Sequence, residues 1–133
     1  MTDRKALFAS VAISIVIIGG ALYYKNPARG PAVPEAPVAT ATIVDGKQIV
    51  DITARGGYSP RIVNAKAGLP TVIRVITKDT YDCSASLVIP KVGYRKLLTS
   101  NGTEEIAISP EQAKGTLNGL CGMGMYSFKI NFL

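Results

Sequence analysis

Residues 48–77 read QIVDITARGGYSPRIVNAKAGLPTVIRVIT, and this stretch decides the fold. Ile, Val and Thr recur between polar residues in three short runs: Gln48–Thr53, Arg61–Ala65 and Thr71–Thr77. Such apolar alternation is typical of strands that bury one face. The runs are separated by turn-forming segments, Gly56-Gly57 and residues 68–70 (GLP). The stretch therefore predicts three strands joined by turns.

The same pattern continues towards the C-terminus. It predicts strands at Ser84–Ile89, Gly93–Leu98, Thr103–Ile108, Gly115–Cys121 and Ser127–Phe132. Residues 109–113 (SPEQA) predict a short helix, with Ser109 as its cap and Pro110 at its first position. Asn101-Gly102 favours a hairpin turn over a glycosylation site. Many short strands at this spacing predict an all-β Greek-key sandwich or barrel.

The N-terminal third has a different composition. Residues 6–24 (ALFASVAISIVIIGGALYY) carry no charge and follow Arg4-Lys5. A helix of that length nearly matches a bilayer core of about 30 Å, so we expect a transmembrane anchor there. A cleaved signal peptide, cut after small residues, is the alternative. The predicted organisation is a cytoplasmic tail at 1–5, the anchor at 6–24, a proline-rich stalk at 25–42 and an extracytoplasmic domain at 43–133.

The amino-acid composition excludes several classes of functional site. The 133 residues include no histidine and two cysteines, and the net charge is +6. Histidine-based nucleophile systems, zinc sites rich in histidine and the blue-copper ligand set are therefore excluded. No long basic run is present, so nucleic-acid binding is not expected. The acids Asp79, Asp82, Glu104 and Glu105 are expected to be solvated surface groups, so no enzymatic activity is predicted.

Sulfur is concentrated near the C-terminus. The segment Cys121-Gly122-Met123-Gly124-Met125 holds three sulfur atoms within five residues, and Cys83 supplies the other cysteine sulfur. Glycines between the methionines permit unusual backbone conformations. Soft sulfur donors without imidazole select Cu(I) over harder divalent ions. A structural disulfide between Cys83 and Cys121 and a thiol–disulfide redox couple are the alternatives.

Four segments of the chain resemble a known family: YSP at 58–60, KAGLPT at 66–71, DTYDC at 79–83 and CGMGM at 121–125. They are similar to cupredoxin-like domains, and more narrowly to the CupA-type membrane-anchored Cu(I) chaperones of bacterial copper resistance. A related domain is fused to some copper-exporting P-type ATPases. In blue-copper cupredoxins a histidine stands where Cys83 stands here, and the C-terminal loop carries a second histidine that this chain lacks.

The resemblance implies a cell-surface Cu(I) chaperone with a binuclear centre. Cys83 and Cys121 would form the tighter site, and Met123 with Met125 would complete a weaker, more exposed one. The implied cargo is two Cu(I) ions, passed to a copper-exporting P-type ATPase or to its metal-binding domain. A single-pass monomer in the cell membrane is expected. The competing function is a disulfide-stapled β-sandwich interaction module that binds no metal.

Overall fold

The structure is a computed structural model that describes residues 37–133 together with Ile15, Gly19 and Gly20. Those three residues are helical. The remainder of the predicted anchor, the tail and the stalk up to residue 36 lie outside the described residues. Within the described part of the chain, no helix has the length and apolar character needed to cross a membrane.

Residues 37–133 form eleven short strands joined by turns and two 3₁₀ turns. The strands are β1 Val38–Thr40, β2 Thr42–Val44, β3 Lys47–Ala54, β4 Tyr58–Ser59, β5 Ile62–Ala65, β6 Thr71–Thr77, β7 Ser86–Ile89, β8 Tyr94–Leu97, β9 Gly102–Ile108, β10 Gly115–Cys121 and β11 Ser127–Phe132. One sheet has the order β1-β5-β11-β10-β7-β8, and the other has β2-β3-β6-β9 with β4 paired to β3. The predicted all-β sandwich is confirmed.

The core is built from the alternating residues that the sequence pattern marked. In β6, Thr71, Ile73, Val75 and Thr77 are buried, while the residues between them are partly exposed. The facing sheet contributes the buried side chains Leu87, Ile89, Leu117, Phe128 and Ile130. Each fully buried aliphatic or aromatic side chain stabilises the fold by about 1.5–3 kcal/mol relative to an exposed one. Alternation thus fixes which face of each sheet points inward.

Phe128 organises the centre of this core. Its ring packs edge-on against Tyr58 with centroids 5.2 Å apart, and it lies directly over Gly119. A Cβ at position 119 would be 2.2 Å from the Phe128 ring, so only glycine fits there. This contact joins β10 to β11, the two strands that flank the sulfur-rich loop.

The predicted helix at 109–113 is wrong. The carbonyl of Ser109 accepts bonds from the amides of Gln112 and Ala113, at 3.0 and 2.9 Å, and the turn goes no further. The Gln112 side chain does accept from the Ser109 amide at 3.1 Å, as a capping residue would. Because Gly115 adopts a φ of 65° and starts β10, only one turn has room to form.

Other segments also differ from the sequence-based expectation, including β2 and β4, which the pattern did not predict. The predicted strand at 84–89 begins with a 3₁₀ turn, Cys83–Ala85, before β7 starts at Ser86. Residues 38–42 belong to the predicted stalk, yet they contain β1, and β1 pairs in parallel with β5. The last proline of the stalk is Pro37, so the backbone amides after it are free to join a sheet.

Candidate metal centre

Cys83 lies at the start of the 3₁₀ turn, and Asp82 fixes this turn. Its Oδ1 accepts bonds from the Ser84 amide at 2.7 Å and the Ser84 hydroxyl at 2.5 Å. Its Oδ2 accepts from the Gly56 amide at 2.7 Å. These bonds, chiefly that from the Ser84 hydroxyl, hold the pKa of Asp82 below its ordinary value. The carboxylate therefore ties the Cys83 turn to the loop between β3 and β4.

Tyr58 supports the same turn from within the core. Its hydroxyl donates to the carbonyl of Ser84 at 3.0 Å. Burial, with a smaller effect of the Asp82 charge, raises the pKa of Tyr58 to about 12. Asp82 is therefore not only the solvated surface acid that the sequence predicts, and the role of Tyr58 is not evident from the sequence. The Asp-x-Ser spacing at 82–84 was the available signal, because an aspartate can accept from the amide two residues later.

Cys121 ends β10 and is completely buried. Its carbonyl accepts from the Gly124 amide at 2.8 Å, and its amide donates to the carbonyl of Tyr126 at 2.9 Å. The Tyr126 amide also donates to Cys121 Sγ at 3.4 Å. These contacts close residues 121–126 into a tight turn that holds the sulfur in a fixed place.

The two glycines of this turn have separate structural reasons. Gly124 adopts a φ of 72°, in the left-handed region that glycine enters without strain. A Cβ on Gly122 would lie 2.5 Å from Oγ of Ser86, because the Gly122 amide bonds the Ser86 carbonyl at 2.8 Å. The expected unusual backbone conformation is therefore present at Gly124, whereas Gly122 allows close approach to a neighbouring strand.

Tertiary structure brings the two cysteines together. Cys83 and Cys121 are 38 residues apart in sequence, yet their Cα atoms are 5.7 Å apart and their sulfurs form a disulfide. Met123 and Met125 are instead exposed, with 78% and 66% of their surface accessible. The four sulfur residues thus divide into a covalently joined internal pair and an external pair of thioethers on one turn.

This donor set fits a soft monovalent metal once the disulfide is reduced. Two thiolates and two thioethers are ligands that Cu(I) prefers. Within residues 37–133 and the three described helical residues, no three His, Cys, Asp or Glu side chains lie together as metal ligands. In the oxidised form the cysteine sulfurs carry no thiolate, so the cysteines must be reduced before they can ligate a metal.

The chain belongs to the cupredoxin-like domain family, whose model matches residues 15–131. Two solved structures are similar to it. One is the metal-binding domain of the Cu(I)-exporting P-type ATPase CopA of Streptococcus pneumoniae D39 with Cu(I), at 21% identity and a TM-score of 0.66, covering 74% of this chain and 97% of that chain. The other is a copper binding protein in the apo form, solved by NMR, at 28% identity and a TM-score of 0.66. The similarity covers 74% of this chain and 99% of that chain. No curated protein matches the chain.

The comparisons confirm the cupredoxin-like fold that the motifs predicted. At 21% identity the first similarity concerns the fold alone. Membrane anchoring, the number of metal ions and the delivery partner stay predictions, as do the four ligands.

Proposed function

We propose that the protein is a Cu(I) carrier that holds copper as cargo at Cys83, Cys121, Met123 and Met125. The observation that carries the proposal is the juxtaposition of Cys83 and Cys121 beside a turn that presents two exposed thioethers. Similarity to a copper-binding domain of an exporter and to a copper binding protein supports it.

The two pairs of sulfur donors suit different tasks. Reduced Cys83 and Cys121 lie partly or wholly inside the domain, and thiolates bind Cu(I) tightly. Each thiol loses a proton when it binds, so capture there weakens at low pH. Thioethers do not protonate, and those of Met123 and Met125 are open to solvent. A tight internal site beside a weaker accessible one favours ligand exchange with a partner over electron transfer.

Reduction of the disulfide precedes capture at the tight site. A dithiol reductant transfers two electrons and two protons: the S–S bond between Cys83 and Cys121 breaks, two thiols form, and the dithiol becomes a disulfide. Each protein thiol then releases its proton as its sulfur bonds Cu(I). Formation of the disulfide therefore removes the two thiolate ligands of the tight site, while the thioethers of Met123 and Met125 stay available.

An anaerobic Cu(I) titration with X-ray absorption at the copper edge tests the proposal. We expect two Cu(I) per reduced protein, with sulfur-only ligation and no intense blue colour. Cys83→Ser should abolish the tight site, and Met125→Ile should spare it while losing the second. Tight binding that survives in the Cys83→Ser/Cys121→Ser double variant would refute the assignment.

The disulfide favours a second candidate function, an interaction module stapled by a permanent bridge. Mass spectrometry of the protein isolated from the cell envelope, before any reductant is added, distinguishes the two. Free thiols, or a bridge whose reduction creates Cu(I) binding, support the carrier. A quantitative bridge combined with no tight Cu(I) binding after reduction supports the module.

For the cellular role, we propose an extracytoplasmic domain held at the cell membrane by residues 6–24, passing Cu(I) to a copper-exporting P-type ATPase or to its metal-binding domain. The uncharged N-terminal segment and the similarity to an exporter domain support this role. Mixing the copper-loaded protein with a purified exporter metal-binding domain, followed by separation and copper analysis, tests it. Copper that stays entirely on this protein would contradict the hand-over.

A further inference from the structure

A groove of about 410 Å³ opens beside the sulfur-rich turn. Residues of the segment between β3 and β5 line one side, and residues that end the turn line the other. The lining includes Arg55, Gly57, Ser59, Arg61, Met125 and Tyr126. Its volume lies in the range of about 300–1,000 Å³ that is typical of small-molecule sites. We call it the Arg55–Arg61 groove.

The groove lining carries a net positive charge. Arg55 and Arg61 are exposed, and the salt bridges among the described residues are made by other cations, Arg74 and Lys96. The carboxylate of Asp82 bonds the Gly56 amide of the groove lining and offsets one of the two positive charges, so the pair of arginines keeps an excess of positive charge. Among the residues that the structure describes, neither guanidinium group forms a salt bridge with a carboxylate, and two such groups favour a bidentate anion such as a carboxylate.

The groove lies beside the candidate metal centre, because Met125 and Tyr126 belong to its lining. Gly57 adopts a φ of 122°, and a Cβ there would touch the Tyr126 ring at 3.4 Å. The Arg55 amide donates to the Gly57 carbonyl at 2.9 Å, which closes a tight turn below the ring. Tyr126 is also the residue whose amide donates to Cys121 Sγ. A ligand in the groove would therefore lie next to the exposed thioether of Met125.

We propose that the Arg55–Arg61 groove binds the carboxylates of a small thiol that carries Cu(I), so that its copper is delivered at Met125. This inference rests on the proposed function. Cu(I) prefers soft sulfur ligands, so a small thiolate is a suitable carrier. In the exchange, the bond between Cu(I) and the carrier thiolate breaks, a bond from Cu(I) to the Met125 thioether forms, and the released thiolate takes a proton from water. No electron is transferred.

The first test uses no copper. The intact, oxidised protein is titrated with S-methylmercaptosuccinate, which has two carboxylates and no thiol, and amide shifts are followed by NMR. We expect saturable shifts at residues 55–59, at Arg61 and at residues 125–127, with affinity falling about tenfold or more in Arg55→Gln/Arg61→Gln, because two charge-assisted bonds are lost. Arg95→Gln, on the exposed strand β8 outside the groove, is the matched control and should bind like wild type.

The second test measures copper delivery to the reduced protein from Cu(I)–mercaptosuccinate and from its uncharged diamide. We expect faster transfer from the dicarboxylate in wild type and in Arg95→Gln, and loss of that preference in Arg55→Gln/Arg61→Gln. Equal transfer from both carriers, with normal copper loading, would overturn the groove assignment and leave the proposed function standing. Carboxylate binding without any copper loading would refute the proposed function, and with it delivery to Met125. Preference for an acidic peptide over S-methylmercaptosuccinate would also overturn the small-carrier inference.

Discussion

Replacing Tyr58 with phenylalanine should change the stability of the domain in opposite directions at neutral and alkaline pH. The substitution removes the bond from the Tyr58 hydroxyl to the Ser84 carbonyl, 3.0 Å long and buried. We expect the free energy of unfolding to fall by about 1 kcal/mol at pH 7, the usual net value of one buried hydrogen bond. The ring and its edge-on contact with Phe128 are retained, so packing loss should be small.

The loss of stability at alkaline pH follows from the difference between the Tyr58 pKa values of the folded and the unfolded chain. Burial raises the pKa of Tyr58 from 10.0 to about 12. The unfolded chain therefore releases this proton first, and the stability that Tyr58 contributes is complete below pH 10 and is lost as the pH rises towards 12. The loss reaches about 1.4 kcal/mol at pH 11. The wild type and Tyr58→Phe should thus have equal free energies of unfolding at about pH 10.7, with the variant more stable above it.

Urea unfolding followed by circular dichroism, at a series of pH values from 7 to about 11, checks this crossing. Tyr81→Phe is the matched control, since Tyr81 is 80% exposed, and it should follow wild type throughout. Tyrosinate absorbance of the folded protein provides a second measurement. A constant difference between wild type and Tyr58→Phe at every pH would refute the argument that burial controls ionisation of this hydroxyl.

Three further predictions concern the rest of the domain. Gly119→Ala should destabilise it by roughly 1–3 kcal/mol or more in urea unfolding, because its Cβ would lie 2.2 Å from the Phe128 ring, and Phe128→Leu should reduce that cost. Reducing the disulfide, which closes a 38-residue separation, should lower the unfolding free energy by about 4 kcal/mol; an unchanged thermal midpoint would contradict this. Glu104→Gln should cost up to about 1 kcal/mol at pH 7, since Lys96 lowers the pKa of Glu104, and the difference should vanish as acid protonates the wild-type carboxylate below its ordinary pKa of 4.5.

Much of the sandwich could be predicted because each strand is specified locally. The alternating run Thr71–Thr77 and the strands Gly115–Cys121 and Ser127–Phe132 have the predicted bounds, since one face of each must be apolar to form the core. The helix predicted at 109–113 failed for a non-local reason. Its capping signals are real, but the residues span the short connection between β9 and β10 and have space for a single turn.

The candidate centre was only partly predictable. Cys121, Met123 and Met125 are neighbours in sequence, so their clustering is visible without a structure. The support for Cys83 was only partly visible, because the bonds from Ser84 to Asp82 are local. The bond from the Gly56 amide to Asp82 and that from Tyr58 to the Ser84 carbonyl span long sequence separations. Arg55 and Arg61 likewise line one groove together with Met125 only in the folded domain, and the sequence does not show this arrangement.

The sequence by itself determined the all-β class, most strand positions and the presence of a sulfur-rich segment in a chain without histidine, because alternation, turn residues and residue content are local or compositional properties. Only the tertiary structure decided that Cys83 meets Cys121 as a disulfide, that the two methionines remain outside, and that a basic groove adjoins them. Those outcomes depend on how two sheets pack and on which loops meet at their edge. Contacts between residues tens of positions apart fix that packing, and no local pattern encodes it.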